Sequence, residues 1–213
     1  MSCEPRDEEA PVSVEEAVRF LRSQCEGTLL FDGQSQRTAF VVDPATGALV
    51  MPVMTAATFA LEHVLHTPDE SDGAMSLLLS PEEIDAEGAL ADRWRAHHGE
   101  PADVRFVRAA IDMARWRGCV FDGEALTAPD PLALEEQAVL RALNADRDAL
   151  TRACRRALGV EAGAPCAVGA DAWGVFVKLR FGPARLSFDG PVCSSQEAVE
   201  AVRALAAGEE TPS

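Results

Sequence analysis

The chain has 213 residues, enough for one large domain or two small ones. An apolar fraction of 47 % with 25 % charged residues describes a globular protein with a real core and excludes a disordered chain. With 35 acids against 19 bases the net charge is −16, which argues against nucleic-acid partners and anionic membrane surfaces, both of which are held through clustered Lys and Arg.

In chain order, residues 1–12 read as a solvated tail. Ser13-Val14-Glu15-Glu16 is a capping box, and Val14, Ala17, Val18 and Leu21 follow at helical spacing, so 14–24 is predicted as a short amphipathic helix. Three strand-like runs come next, at 27–31, 37–42 and 48–54. Asp32-Gly33 and the stretch Asp43-Pro44-Ala45-Thr46-Gly47 separate them, and both have turn chemistry. Thr55 is expected to cap a helix over 56–65, closed by Thr67-Pro68. An apolar strand at 74–79 follows, then a helix over 86–98 ending at His97-His98-Gly99. Strands at 104–113 and 116–121 complete six short strands, which suit a small barrel with helical crossovers.

Ala128-Pro129-Asp130-Pro131 breaks any regular element and marks a boundary. Beyond it the spacing predicts a long helix over 132–158 stopped by Gly159. Strands are expected at 166–169, 173–181 and 184–188, and a last helix at 195–207 is capped by Ser194 with Glu197 three positions on. The expected architecture is α+β: a barrel over 13–128 and a small α/β domain over 132–208.

The segments GTLLFDGQSQRTAFVVDPATGALVMPV, MTAATFALEHVLHTP, AMSLLLS and VRFVRAAIDMARWRGCVF resemble the pyridoxamine-phosphate-oxidase-like split barrels that bind flavin mononucleotide (FMN). RALNADRDAL, GADAWGVFVKLRFGPARLSFDGPV and SSQEAVEAVRALA resemble the small domain that follows the barrel in haem-utilisation proteins of the HugZ type. The resemblance covers about residues 14–208. It implies a split barrel, a haem or FMN cofactor, a homodimer with the pocket at the barrel flank, and in some members oxidative haem degradation. Others in the group serve tetrapyrrole metabolism as regulators without catalysis.

The residues of this chain qualify those implications. An FMN phosphate needs cations or backbone donors. Arg37, with Thr38 beside it, and the hydroxyls of Thr55 and Thr58 are the candidates. No Lys or Arg lies between Arg37 and Arg93, so FMN is expected to bind weakly or not at all. Haem iron takes His, Cys, Met or Tyr, and tyrosine is absent. On the predicted 56–65 helix, His63 and His66 would share a face, which makes them the iron-ligand candidates, with Trp116 as a stacking wall. His97 and His98 read as charges at a helix C-terminus.

Relatives often read Met-Asn-x-Asp-His where this chain has Leu143-Asn144-Ala145-Asp146-Arg147. The histidine is replaced by a guanidinium that cannot ligate iron, so a structural role is expected there. No spacing recommends zinc. Six cysteines without a C-x-x-C pair and the lack of an apolar leader core suggest a reduced, cytoplasmic protein. Three readings stay open: a haem-binding protein with possible oxidative activity, a cofactor-free regulatory module, and an FMN-dependent oxidoreductase.

Overall fold

The computed structural model describes residues 11–101, 105–161 and 163–208. Most of the expected tail over 1–12, and the expected strand start at Val104, fall outside the described residues. The first helix, α1 (Val14–Ser23), begins as its sequence dictates. Ser13 Oγ accepts from the Glu16 amide at 3.1 Å, and the Glu16 carboxylate accepts from the Ser13 amide at 2.8 Å.

Eight antiparallel strands follow: β1 (Glu26–Phe31), β2 (Gln34–Ala39), β3 (Val41–Val42), β4 (Leu49–Val53), β5 (His63–Thr67), β6 (Met75–Ile84), β7 (Arg105–Trp116) and β8 (Cys119–Asp122). They curl into a split barrel of order β2-β1-β5-β6-β7-β4-β3, with β8 paired to β7 off that path. Two tight turns take positive φ at both central residues, Asp32-Gly33 and Arg117-Gly118, which matches the twist of the strands they join. The split lies between β2 and β4, where side chains replace a ladder. Thr38 Oγ1 donates to the Pro52 carbonyl at 3.1 Å, and Gln36 Oε1 accepts from the Met54 amide at 2.9 Å. Leu29, Phe31, Met51, Leu65, Leu77 and Ile111 fill the interior.

The helix expected over 56–65 does not form. Thr55–Phe59 is a single 3₁₀ stretch whose cap residue is Met54, with no side-chain capping bond. β5 then runs between β1 and β6, burying His63, Leu65 and Thr67 on one face. Two waiting strand neighbours outweigh a local pattern that fitted either element. The two C-terminal barrel strands also meet later than expected, because β7 runs unbroken to Trp116.

Helix α2 (Ala89–His98) lies outside the barrel, packing Ala91 and Trp94 on Val41, Val50 and Phe106. After the short α3 (Gly123–Leu126), the predicted long helix is two: α4 (Glu136–Ala145) and α5 (Arg147–Leu158). Asp146 makes the break, its carboxylate accepting from the Ala149 amide as the cap of α5. β9 (Cys166–Asp171), β10 (Gly174–Leu179) and β11 (Gly182–Ser187) form a three-stranded antiparallel sheet, and α6 (Ser195–Ala207) closes the chain. Leu132, Val139, Leu150, Val175, Leu186 and Val202 belong to a second core, separate from the barrel's. The fold is α+β, a split barrel followed by a small α/β unit. Among the described residues no helix is long and apolar enough to cross a membrane.

Candidate functional site

The seven candidate residues scatter once the strands are in place. His63 and His66 sit three apart on a strand, so they point to opposite faces and cannot share one iron. His63 turns inward, 6 % exposed, with Nε2 at 2.7 Å from the Ala57 carbonyl. The void beside it is about 10 Å³, whereas ligand pockets run to about 300–1,000 Å³. The barrel interior is therefore packed. Trp116 is also core, stacked on Phe20 with centroids 4.4 Å apart, and its indole N–H donates to the Gly73 carbonyl at 3.2 Å. Thr38 is buried and engaged in closing the split. Thr58 donates to the Thr55 carbonyl at 2.9 Å, and Thr55 stands exposed at the start of a five-residue 3₁₀ turn.

Arg37 and His66 remain, and the strand register brings them onto one surface. Arg37 is paired with Thr28, Thr28 with His66, His66 with Ser76, and Ser76 with Arg115. Directly paired residues project to the same face, so these five side chains form one polar row across the outside of the barrel. At about 4.8 Å per strand the row spans roughly 19 Å. The neighbouring row on that face is apolar: Leu30, Val64, Leu78 and Met113. Leu78 and Met113 are exposed, and Val120 next to Arg115 extends the apolar area. Beyond Leu30 and Val64 a hollow of about 410 Å³ opens against the Asp32-Gly33 turn, rimmed by Glu62 and Glu70.

Two details give this face chemistry. The Ser76 hydroxyl lies 2.9 Å from His66 Nδ1. When Ser76 accepts the Nδ1 proton, the Nε2 lone pair is left free, the arrangement in which a histidine ligates a metal. Arg115 has no carboxylate partner among the described residues, and it supplies the cation that the sequence lacks between Arg37 and Arg93. Sequence reasoning missed it because β6 and β7 pair over a separation of 39 residues at Ser76 and Arg115. Arg37, for its part, holds Glu26 at 3.1 Å and donates to the Pro68 carbonyl, both exposed contacts that water weakens.

A second polar cluster is buried where α2 and the linker meet the three-stranded sheet. Arg22 is paired with Asp130, Arg93 binds Glu136 through both terminal nitrogens at 2.6 and 2.8 Å, and Arg185 binds Asp171 at 2.6 and 2.9 Å. The carboxylates also accept backbone donors: Glu136 from Ala170, Asp130 from Ala172 and Leu132, Asp171 from Trp173. Burial pushes the Asp130 carboxyl up, against the pull of Arg22. His97, expected as a helix-end charge, is instead 2 % exposed. Burial, with Arg93 and His98 beside it, depresses it to about 3, so it is neutral at pH 7. Asn144, sole asparagine of the chain, clamps the β9 edge through both its side-chain atoms, to the Ala167 carbonyl at 2.9 Å and from its amide at 2.8 Å. Asp146 caps α5 and faces Arg203, and Arg147 is exposed with no ion pair among the described residues. Among the described residues, no group of three or more His, Cys, Asp and Glu is placed to hold a metal ion.

No family model matches the chain, and no curated protein matches it. Among solved structures, a protein of unknown function from Agrobacterium tumefaciens superimposes with a TM-score of 0.67 at 17 % identity, covering 95 % of this chain and 100 % of its own. A heme binding protein from Mycobacterium smegmatis matches at 22 % identity over 94 % and 98 % of the two chains, with a TM-score of 0.39. That superposition is too loose to transfer what the protein binds. What the comparisons establish is the fold, shared along nearly the whole length with the Agrobacterium protein.

Proposed function

We propose that the open outer face of the barrel binds a planar, largely apolar, anionic cofactor, haem or a related tetrapyrrole. The observation that carries this reading is the pair of adjacent rows. Arg37, Thr28, His66, Ser76 and Arg115 lie along one, and Leu30, Val64, Leu78 and Met113 along the next. A flat apolar ligand lies on the second row. Its carboxylates turn toward Arg37 and Arg115 and away from Glu62 and Glu70, which rim the other side. His66 Nε2 is the group suited to the iron. His63 is withdrawn from that role by its place inside the barrel.

In this reading the exposed Leu78, Met113 and Val120 are the floor of the site, and a second copy of the chain supplies its other wall. The protein is then a homodimer. The separate cores support two domains, 13–128 and 132–208, meeting near residues 128–131. FMN remains an alternative ligand, since Arg115 offers the phosphate a cation.

A second reading, a cofactor-free regulatory module, draws on the packed barrel interior and on the hydroxyls of Thr38 and Thr58, both engaged by backbone. Haem titration followed by absorbance separates the two. Saturable binding with a histidine-type coordination band that disappears in His66→Ala supports the cofactor site. Absence of saturable binding selects the regulatory module, and tight FMN binding with no haem band moves the assignment to flavin.

A further inference from the structure

His97 and Arg93 lie one turn apart on α2 and both stand over Gly169 of β9. A Cβ on Gly169 would come within 2.7 Å of His97 Cε1 and Nε2 and 3.4 Å of Arg93 Nη2. The floor is thus bare backbone, and the two side chains press directly on it. Although His97 is 98 % buried, neither ring nitrogen makes a hydrogen bond of ordinary geometry, the Val168 carbonyl of β9 being the one backbone acceptor that acts on the ring, and the buried Arg93 Nε–H has no partner. Polar atoms so poorly satisfied on two neighbouring side chains are an exception to the rule that buried polar groups are paired. Leaving them dry is expensive.

A cleft of about 20 Å³ opens beside them, lined by Arg22, Cys25, Phe40, Arg93, His97 and Asp171. A water needs about 10–15 Å³ and two to four polar partners. At about 20 Å³ the cleft has room for one water.

We infer that this cleft is a specific binding site for one water molecule, which joins α2 to the three-stranded sheet by bridging His97 and Arg93 Nε. The Cε1–Nε2 edge of the imidazole faces the β9 backbone, so Nε2 carries the proton on that side and Nδ1 keeps its lone pair. The water accepts from Arg93 Nε–H and donates to Nδ1. An anion is the wrong occupant, because each arginine that lines the cleft is already matched by a buried carboxylate, Arg22 by Asp130 and Arg93 by Glu136. A cation is wrong for the same arginines. Cys25 adds no charge, since burial pushes its thiol up to about 11.

The direct test is a crystal structure of the full chain at high resolution, with one crystal soaked in sodium bromide, and long-range ¹H–¹⁵N spectra of the histidines. The inference expects a single ordered water within hydrogen-bond distance of His97 and Arg93 Nε, no bromide anomalous peak there, and a neutral Nε2–H tautomer for His97. A bromide peak would make the site an anion site, and an empty cleft or a charged His97 would equally overturn it. Thermal unfolding of His97→Leu gives an independent reading. Losing a satisfied imidazole and displacing its water lowers Tm by several degrees. A dry cleft predicts the opposite, because the variant then removes a poorly satisfied buried imidazole and raises Tm.

Discussion

The open face of the barrel and the joint around α2 are built from the same side chains, arginine, histidine and hydroxyl or carboxylate partners, and use them in opposite ways. At the joint, three arginines are each matched to a buried carboxylate, every carboxylate also holds backbone donors, and His97 is enclosed and neutral. On the open face, Arg115 has no carboxylate among the described residues, Arg37 is held by contacts that solvent screens, and His66 keeps one ring nitrogen free. Charge that is fully matched and buried fixes structure, because removing either member strands the other. Charge left unmatched on a partly apolar face is available to a ligand. Substitutions at the two regions should therefore separate stability from binding.

The largest stability effect is expected at the joint. Asp130→Ala strands the buried Arg22 and leaves the Leu132 and Ala172 amides without their acceptor, which should lower unfolding stability by about 3–5 kcal/mol in urea. A loss under about 1 kcal/mol would mean that the pair is solvated and the joint is loose. Next comes Gly169→Ala, whose new methyl meets the His97 ring and should cost about 1–3 kcal/mol by overpacking. Asn144→Ala should fall in the same range, about 1–3 kcal/mol, because it abandons the Ala167 amide and carbonyl.

Acid gives a graded version of the comparison. His97 titrates at about 3 when folded against its ordinary 6.5, so the folded state disfavours its protonated form. The stability this group contributes is complete above pH 6.5 and is lost as pH falls from there toward 3. The charged groups facing a protonated His97 worsen it, Arg93 and His98 from α2 and Lys178 from β10, and the Val168 backbone offsets them only in part. His98 is depressed too, again by burial. Unfolding curves of wild type and His97→Leu between pH 7 and 4 should converge as pH drops, since the variant lacks this proton linkage. Parallel curves would show that His97 titrates alike in the folded and unfolded states, as a solvent-accessible imidazole does. The smallest stability effect is at the open face, where Arg115→Ala should shift stability by no more than about 0.5 kcal/mol while weakening haem binding.

Much of the fold is legible in the sequence. The capping residues Ser13 and Ser194, the Asp32-Gly33 turn and Gly159 at a helix end work by local rules, and the structure places each as those rules require. The stretch 55–67 is harder. Its apolar spacing fits a helix, and only the presence of β1 and β6 on either side makes 63–67 a strand. The break in 132–158 was readable, because Asp146 before Arg147-Asp148-Ala149 is a good N-cap inside an otherwise continuous helical pattern. The candidate site was legible only in part. Arg37 and His66 are visible as residue types, yet their alignment with Arg115 is a property of register across five strands, which no local pattern encodes. The same limit hid His97, which became an enclosed imidazole only because β9 brings a glycine beneath it.

The central claim, that the open face and not the barrel interior or the joint is the ligand site, is tested most directly by titrating haem into wild type, His66→Ala and His63→Ala, with circular dichroism on the same samples. The account predicts a histidine-type coordination band in wild type and in His63→Ala, and its loss in His66→Ala with the fold unchanged. A band that survives in His66→Ala and vanishes in a folded His63→Ala would contradict it and return the ligand to the barrel interior.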